Sequence, residues 1–356
     1  MFSNRLKLIV NIITFVAFGV IIYTSWPQIT NGFREMSGAK ASIILLMIPL
    51  QLFNFYSIAE LYRSYFKQTG ETLSRKSMYR VALELNFVNH VFPSGGVVGF
   101  SYLSLRLRRY GITASRSTLA QVMRFALTFI SFLIILFVGM FLLSFGSGKS
   151  HNNVALFIGL SITFLTLFGV LIGIYIISDK NRIKAFTAFL PRILNSILRP
   201  FKKGRNTIDL SRLERLFEDL NKDYSLIAKD WRKLKIPFFW SFMMNLSEVG
   251  TVYLAYVALG HLVNPGAIIL AYAVASFAGL VSILPGGIGV YEALMTATLT
   301  GAGVPKALAL SATLIYRILT MVLFLPIGFI YYQIALKKGH AEAPNRDAAR
   351  ADFIPK

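Results

Sequence analysis

The sequence predicts an all-α polytopic membrane protein, with six spans and two re-entrant helical hairpins arranged as an inverted repeat. Three observations predict it. The chain is 55% hydrophobic and 15% charged, whereas soluble chains carry about 25% charged residues. Its apolar residues gather into runs that approach the roughly 20 positions a helix needs to cross a hydrocarbon core. Its basic residues stand in short blocks between those runs.

The apolar runs follow in order. Leu8–Tyr23 comes after Arg5 and Lys7 and is followed by Trp26-Pro27 rather than a small-residue cleavage site, so it is expected as a retained first span. Ser42–Tyr62 is the second. Val81–Leu107 is interrupted at Phe92-Pro93-Ser94-Gly95-Gly96. Each of its arms is about a dozen residues, or roughly 18 Å, which is half a bilayer. Leu119–Phe145, Val154–Ile177 and Ile236–Gly260 are uninterrupted. Gly266–Gly301 breaks at Leu284-Pro285-Gly286-Gly287-Ile288-Gly289, and Lys306–Leu336 is the last span.

Charge orients these runs. Thirty-seven Lys and Arg against sixteen Asp and Glu leave a net +21. A nucleic-acid-binding domain would carry such charge on a folded polar face; here it lies between apolar runs, so no nucleic-acid partner is expected. Arg63, Lys67, Arg75, Lys76 and Arg80 precede the first broken run, and Arg106, Arg108, Arg109 and Arg116 follow it. Residues 179–235 hold fifteen bases and seven acids, and Lys337-Lys338 follow the last span. The positive-inside rule places all four blocks, and both termini, in the cytoplasm of a cell-membrane protein. Both ends of Val81–Leu107 then lie on one face, which makes it a re-entrant hairpin. Gly266–Gly301 enters from the opposite face.

The two hairpins resemble each other. Displaced by 192 positions, Pro93–Leu133 and Pro285–Leu325 share ten identical pairs without a gap, among them Pro93/Pro285, Gly95/Gly287 and Gly111/Gly303. Three spans between the copies invert the second. This is the architecture of many secondary transporters; the alternative is two unrelated Gly/Pro breaks. Irregular backbone at membrane depth survives only where protein or water surrounds it. Each break is followed by a short helix whose amino terminus suits an anion; the alternative is a capped turn packed against its neighbours.

Ionisable residues within the spans are functional candidates by default. Glu292 lies one turn after Gly289, and Arg317 lies within the last span. Arg124 is adjacent to the position matching Arg317. Glu248 sits mid-span one turn after Asn245. Glu84, Asn86, Asn89 and His90 crowd the first arm of the first hairpin. The candidate substrate-binding set is Glu292, Arg317, Arg124, Gly95, Gly96, Gly286, Gly287, Asn89 and Glu248. A buried Glu292–Arg317 ion pair without a ligand fits the same residues. Glu60 is expected at the cytoplasmic boundary.

Residues 183–199 alternate apolar and basic positions as an amphipathic helix suited to an anionic leaflet. Leu210–Leu234 steps by three and four residues, a seam for a neighbouring helix or for a second copy. Residues 339–356 have no periodicity and read as a disordered tail. No cysteine allows a disulfide framework, the four histidines have no metal-ligand spacing, and no cofactor motif or catalytic constellation occurs. Gly146-Ser147-Gly148-Lys149-Ser150 ends like a phosphate-binding loop, but Leu143 stands where its first Gly belongs.

Residues 284–319 resemble the signature of the lysylphosphatidylglycerol synthase transmembrane-domain family, through Pro285-Gly286-Gly287, Glu292, Gly303-Val304-Pro305 and Tyr316-Arg317. Residues 86–112, with Asn86 or Asn89 before a Pro-Gly turn and an Arg-rich, Gly-ended helix, resemble the family's other motif. The resemblance covers nearly all of residues 1–338. It implies a flippase-like membrane domain, with repeats at about 75–145 and 266–336, that moves a phospholipid or lipid-linked headgroup between leaflets. The implied partner is an anionic or aminoacylated phospholipid. A homo-oligomer or a partner membrane enzyme is also open, as is a non-transporting accessory role that presents lipid to an envelope enzyme. Two departures limit what carries over. Many members place an acid and an Arg soon after the first turn, where Val97-Val98-Gly99-Phe100-Ser101 supplies neither. A chain ending at residue 356 leaves no room for the aminoacyl-transfer domain of the bifunctional synthases, so a transporter rather than an enzyme is expected.

Overall fold

The computed structural model describes residues 33–92, 97–144, 230–281 and 285–338, with scattered positions between 16 and 31 and between 157 and 185. Every regular element among them is helical. In chain order these are α1 (Ala41–Gln68), α2 (Arg75–Val91), α3 (Val97–Leu107), α4 (Ala114–Ser144), α5 (Lys235–Ala258), α6 (Pro265–Val281), α7 (Val290–Gly301), α8 (Lys306–Ile318) and α9 (Phe324–Lys338). Short 3₁₀ turns follow α3 and precede α5 and α7, and a π turn, Leu319–Leu323, joins α8 to α9.

Three helices among the described residues are long and apolar enough to cross a membrane: Ala41–Gln68, Arg116–Ser144 and the continuous Lys306–Lys337. They contain the expected spans Ser42–Tyr62, Leu119–Phe145 (to Ser144) and Lys306–Leu336. Helix α5 occupies the expected span Ile236–Gly260 over 24 residues. Its hydropathy is diluted by Asn245, Ser247, Glu248 and Thr251, of which Asn245, Ser247 and Thr251 are buried. Polar groups turned into the protein leave the rest of the helix apolar. The expected spans Leu8–Tyr23 and Val154–Ile177, most of 179–235, the loop Gly146–Ser150 and the tail 339–356 lie outside the described residues, apart from the scattered positions.

The first arm of the first broken run is longer than a dozen residues. Helix α2 has 17, because Ser74 accepts the Ser77 N–H at 3.2 Å and caps the helix ahead of the apolar run. Helix α6 also has 17 residues, against 11 in α3 and 12 in α7.

Helices α1 and α5 form the central antiparallel pair. Lys40 N–H donates to Ala258 O at 2.8 Å at one end. At the middle, Asn54 Nδ2 donates to Met244 O at 2.9 Å and to Ser247 Oγ at 3.2 Å. The main core gathers around this pair, with Met47, Phe55, Tyr256, Ile268, Met295, Ile315 and Phe324 buried in one cluster. Glu60, at the basic end of α1, is buried and pairs with Arg63 at 2.8 Å and Arg75 at 3.1 Å, which offsets the cost of burying its charge.

Helix α2 packs along α9, and α6 packs along α4. Both contacts bring backbones together through glycine. A Cβ on Gly328 would lie 2.5 Å from Leu83 O and 2.8 Å from Phe87 Cβ. A Cβ on Gly266 would strike Gly139 O and come within 2.7 Å of Leu143 N. Small residues admit such close approach between membrane helices. On the outer surface, Ile134, Phe137, Val138 and Phe141 of α4 and Leu45 and Leu46 of α1 are exposed, an arrangement suited to lipid tails. Overpacking a helix contact costs about 1–3 kcal/mol. Gly328→Val is therefore expected to lower unfolding stability in detergent by that amount. Gly301→Ala, whose added Cβ meets nothing within 4 Å, should leave stability unchanged or slightly raised.

Candidate functional site

The best-defined polar centre forms where the chain breaks between α6 and α7. Gly286, Gly287 and Gly289 have φ values of 60, 64 and 83°, a conformation that side-chain-bearing residues rarely adopt. Helix α7 then starts at Val290, and its first turn carries Glu292. Gly289 N–H donates to Glu292 Oε2 at 2.6 Å. The positive amino-terminal end of α7 thus meets the chain's own carboxylate. The anion site expected at this helix end is occupied by Glu292.

Arg317 completes the arrangement from α8. Its Nε donates to Glu292 Oε1 at 2.7 Å, and its Nη2 donates to Gly286 O at 2.8 Å. Both side chains are largely buried, with 8% and 9% of their surfaces exposed. Arg317 also stands 4.9 Å from the Tyr291 ring centroid, within reach of a cation–π contact. One guanidinium therefore binds a carbonyl before the turn and a carboxylate after it.

The polar contacts continue beyond Arg317. Tyr291 stacks on Tyr316 with centroids 6.2 Å apart. The Tyr316 hydroxyl donates to Glu248 of α5, and Gln51 of α1 stands near the same carboxylate. Thr251 Oγ1 donates to Gln51 Oε1 at 3.5 Å. Glu248, Arg317, Glu292, Gly286 and Gly287, all candidates from the sequence, thus belong to one connected region. Gln51 was not among them. An amide at position 51 and another at 54, three apart in an apolar run, were the available signal.

The end of α2 meets the second break. The His90 ring, tied to Asn86 O at 2.8 Å through Nδ1, lies 3.5 Å from where a Cβ on Gly286 would stand. Asn89 packs its side chain on Gly99 of α3, and its buried Oδ1 has no hydrogen-bond partner among the described residues. Gly95 and Gly96 lie outside the described residues. Arg124 does not join the cluster. Its Nε donates to Gln121 Oε1 at 3.1 Å, and its guanidinium stands over the rings of Phe125 and Tyr62. Helix periodicity explains this: the position matching Arg317 is Phe125, and its neighbour Arg124 points about 100° away.

A cavity of about 360 Å³ reaches this centre. Glu292 and Arg317 are among the residues around it, yet nearly all of its surface is apolar, supplied by Trp26, Phe33, Ile288, Leu314 and Met321 among others. The π turn Leu319–Leu323 lies beside it. Pro326 has no N–H to offer the Val322 carbonyl four residues earlier, so the helix cannot stay regular there. The cavity is apolar, with the Glu292–Arg317 pair directly behind its surface, a combination that suits acyl chains and keeps two charges within reach of a ligand that displaces their present contacts. Among the described residues, no group of acidic or His side chains could hold a metal ion.

Removing one partner of a buried ion pair costs on the order of 3 kcal/mol or more. Glu292→Gln and Arg317→Gln are each expected to lower unfolding stability in an SDS titration by that amount. The double replacement should recover at least half of the summed loss. Arg124→Gln, with a half-buried cation and no carboxylate partner among the described residues, should cost less than about 1 kcal/mol.

The family model for the lysylphosphatidylglycerol synthase transmembrane region matches residues 8–328. A UPF0104 membrane protein of Pyrococcus horikoshii is 22% identical over 85% of this chain and 89% of its own length. A UPF0104 membrane protein of Methanocaldococcus jannaschii is 22% identical over 83% of this chain and 86% of its own. One from Methanothermobacter thermautotrophicus is 30% identical over 33% of this chain and 37% of its own.

Proposed function

This chain belongs to the family of the lysylphosphatidylglycerol synthase transmembrane region, and from that premise we propose that it is a membrane lipid translocase. It moves a phospholipid or lipid-linked headgroup between leaflets through the cavity beside α7 and α8. The observation that carries this function is the cavity itself: its apolar walls are backed by the buried Glu292–Arg317 pair. Acyl chains match the apolar walls. A headgroup with both a phosphate and an amine matches the two opposite charges, phosphate toward Arg317 and amine toward Glu292. Each protein charge then exchanges one partner for another, so neither is left unpaired in a low-dielectric site.

Alternating access in such proteins commonly rests on two inverted repeats. The proposal assigns six spans and two re-entrant hairpins to this chain, with the amino and carboxyl termini cytoplasmic. Several features support it. Displaced by 192 positions, α2 and α3 overlay α6 and α7, and α4 overlays α8 with α9. Gly111 and Gly303, with φ of 79 and 88°, close the same turn in each copy. The correspondence reaches further back than residue 75, because α1 overlays α5. Contacts are reciprocal: α2 lies on α9 as α6 lies on α4. In the antiparallel α1–α5 pair, Asn54 meets Met244 and Ser247, on either side of its own counterpart, position 246. In the proposed inverted repeat, the two-fold axis would pass through that contact. The beginning of α2 and the end of α3 both lie beside the end of α9, as Arg80 over Tyr331 and Arg109 on Ala335 mark. That is the geometry of a segment entering and leaving by one face.

Purified protein in vesicles holding labelled phosphatidylglycerol and lysyl-phosphatidylglycerol tests the proposal. An impermeant reductant should bleach label beyond the outer-leaflet half in the presence of wild type. Glu292→Gln should abolish the excess. Met321→Trp, which fills the cavity and keeps the ion pair, should do so too while the protein remains folded. Bleaching that stops at the half-way plateau for every lipid would overturn translocation and leave the accessory role.

A further inference from the structure

A second cavity, of about 490 Å³, lies at the basic end of the bundle between α2, the end of α3 and α9. Arg80, Glu84, Arg106 and Arg109 line one side; Tyr331 and Ile334 stand on the other. Glu84 is buried and already engaged. It accepts Arg106 Nε at 2.8 Å and the Tyr102 hydroxyl at 2.7 Å. Arg109 Nη2 donates to Ala335 O at 2.6 Å, and the Arg80 guanidinium stands 5.6 Å from the Tyr331 ring centroid. Neither Arg80 nor Arg109 has a carboxylate partner among the described residues. Three guanidinium groups against one carboxylate leave two positive charges uncompensated in the cavity.

We propose that this cavity is a phosphate-binding site, separate from the Glu292–Arg317 centre. Guanidinium forks match phosphate oxygens in pairs. Arg106 is held by Glu84, Arg109 by Ala335 O and Arg80 over the Tyr331 ring, so the site is assembled before a ligand arrives. The phosphate is that of an anionic lipid headgroup or of a soluble phosphate ester. In the first case, Tyr331 and Ile334 supply an apolar wall for the glycerol and the first carbons of the chains.

The site is one-sided. At the positions 192 residues later, Tyr272, Ser276, Thr298 and Gly301 stand where Arg80, Glu84, Arg106 and Arg109 stand. Gly139 and Leu143, the counterparts of Tyr331 and Ala335, are pressed against Gly266. The backbone frame repeats, but the charge does not. Assigning the site to the cytoplasmic leaflet rests on the orientation proposed above; the phosphate binding does not.

The test is equilibrium binding to the full chain in neutral detergent. The probes are short-chain phosphatidylglycerol, short-chain phosphatidylcholine and glycerol 3-phosphate. Wild type should bind phosphatidylglycerol in preference to phosphatidylcholine. Arg80→Gln and Arg109→Gln should each weaken it by about five- to tenfold, the size of one charge-assisted hydrogen bond to a partly exposed group. Both side chains are partly exposed, so unchanged melting without ligand will confirm folded variants. Glycerol 3-phosphate that binds as tightly as the lipid, with the same loss in both variants, supports the site and assigns a soluble ligand. Binding of neither phosphate compound, or binding indifferent to both substitutions, overturns the proposal. Glu292→Gln should leave this binding intact. Intact binding with failed translocation therefore counts against the proposed function alone, and lost binding with intact translocation counts against this site alone.

Discussion

Arg317 answers the main physical difficulty of this fold. A chain that breaks inside an apolar bundle exposes N–H and C=O groups where little water can reach them. The Arg317 guanidinium takes the Gly286 carbonyl on one side of the break and the Glu292 carboxylate on the other, and that carboxylate takes the Gly289 N–H. Each of these buried ions would be unfavourable alone. Together each has a second partner in the backbone, and the turn, the start of α7 and the position of α8 become mutually dependent. The floor of the apolar cavity is therefore also the joint that allows α7 to begin inside the protein.

The helices were legible in the sequence wherever a long apolar run marked them. The ends of Lys306–Leu336 were read closely, and the breaks at positions 93 and 285 fall between helices. The start of α2 was missed, because the Ser74 cap lies within the basic, polar stretch before the apolar run. The Glu292–Arg317 partnership was readable because charges within spans are few. Its role as a cap was open until the geometry placed Gly289 N–H on Glu292. Arg124 was misjudged for a reason of phase: adjacent residues on a helix face different neighbours. The arginines of the second cavity had been read only as an orientation signal. Their convergence depends on α9 lying across the end of α2, a contact between segments far apart in sequence.

The two halves of the chain share a frame and differ in chemistry. Both have a 17-residue helix, a break, a shorter helix and a glycine turn before a long helix. In the second half the charges sit at the break, where Glu292 and Arg317 pair. In the first half they sit one arm away, where Glu84 and Arg106 pair beside Arg80 and Arg109. Two similar successions of helices thus offer two similar places for charge, and each half uses a different one.

The π turn at Leu319–Leu323 joins these two places mechanically. Arg317 stands just before it, and Tyr331, Ile334 and Ala335 stand beyond it on the same continuous rod. A π turn absorbs one extra residue into a helix, which sets everything downstream back by about 100° and 1.5 Å relative to an unbroken α-helix of the same sequence. The angular setting of the basic cavity against the ionic centre is therefore fixed by a single inserted residue, as the phase between two cams is fixed by one spline on a shared shaft.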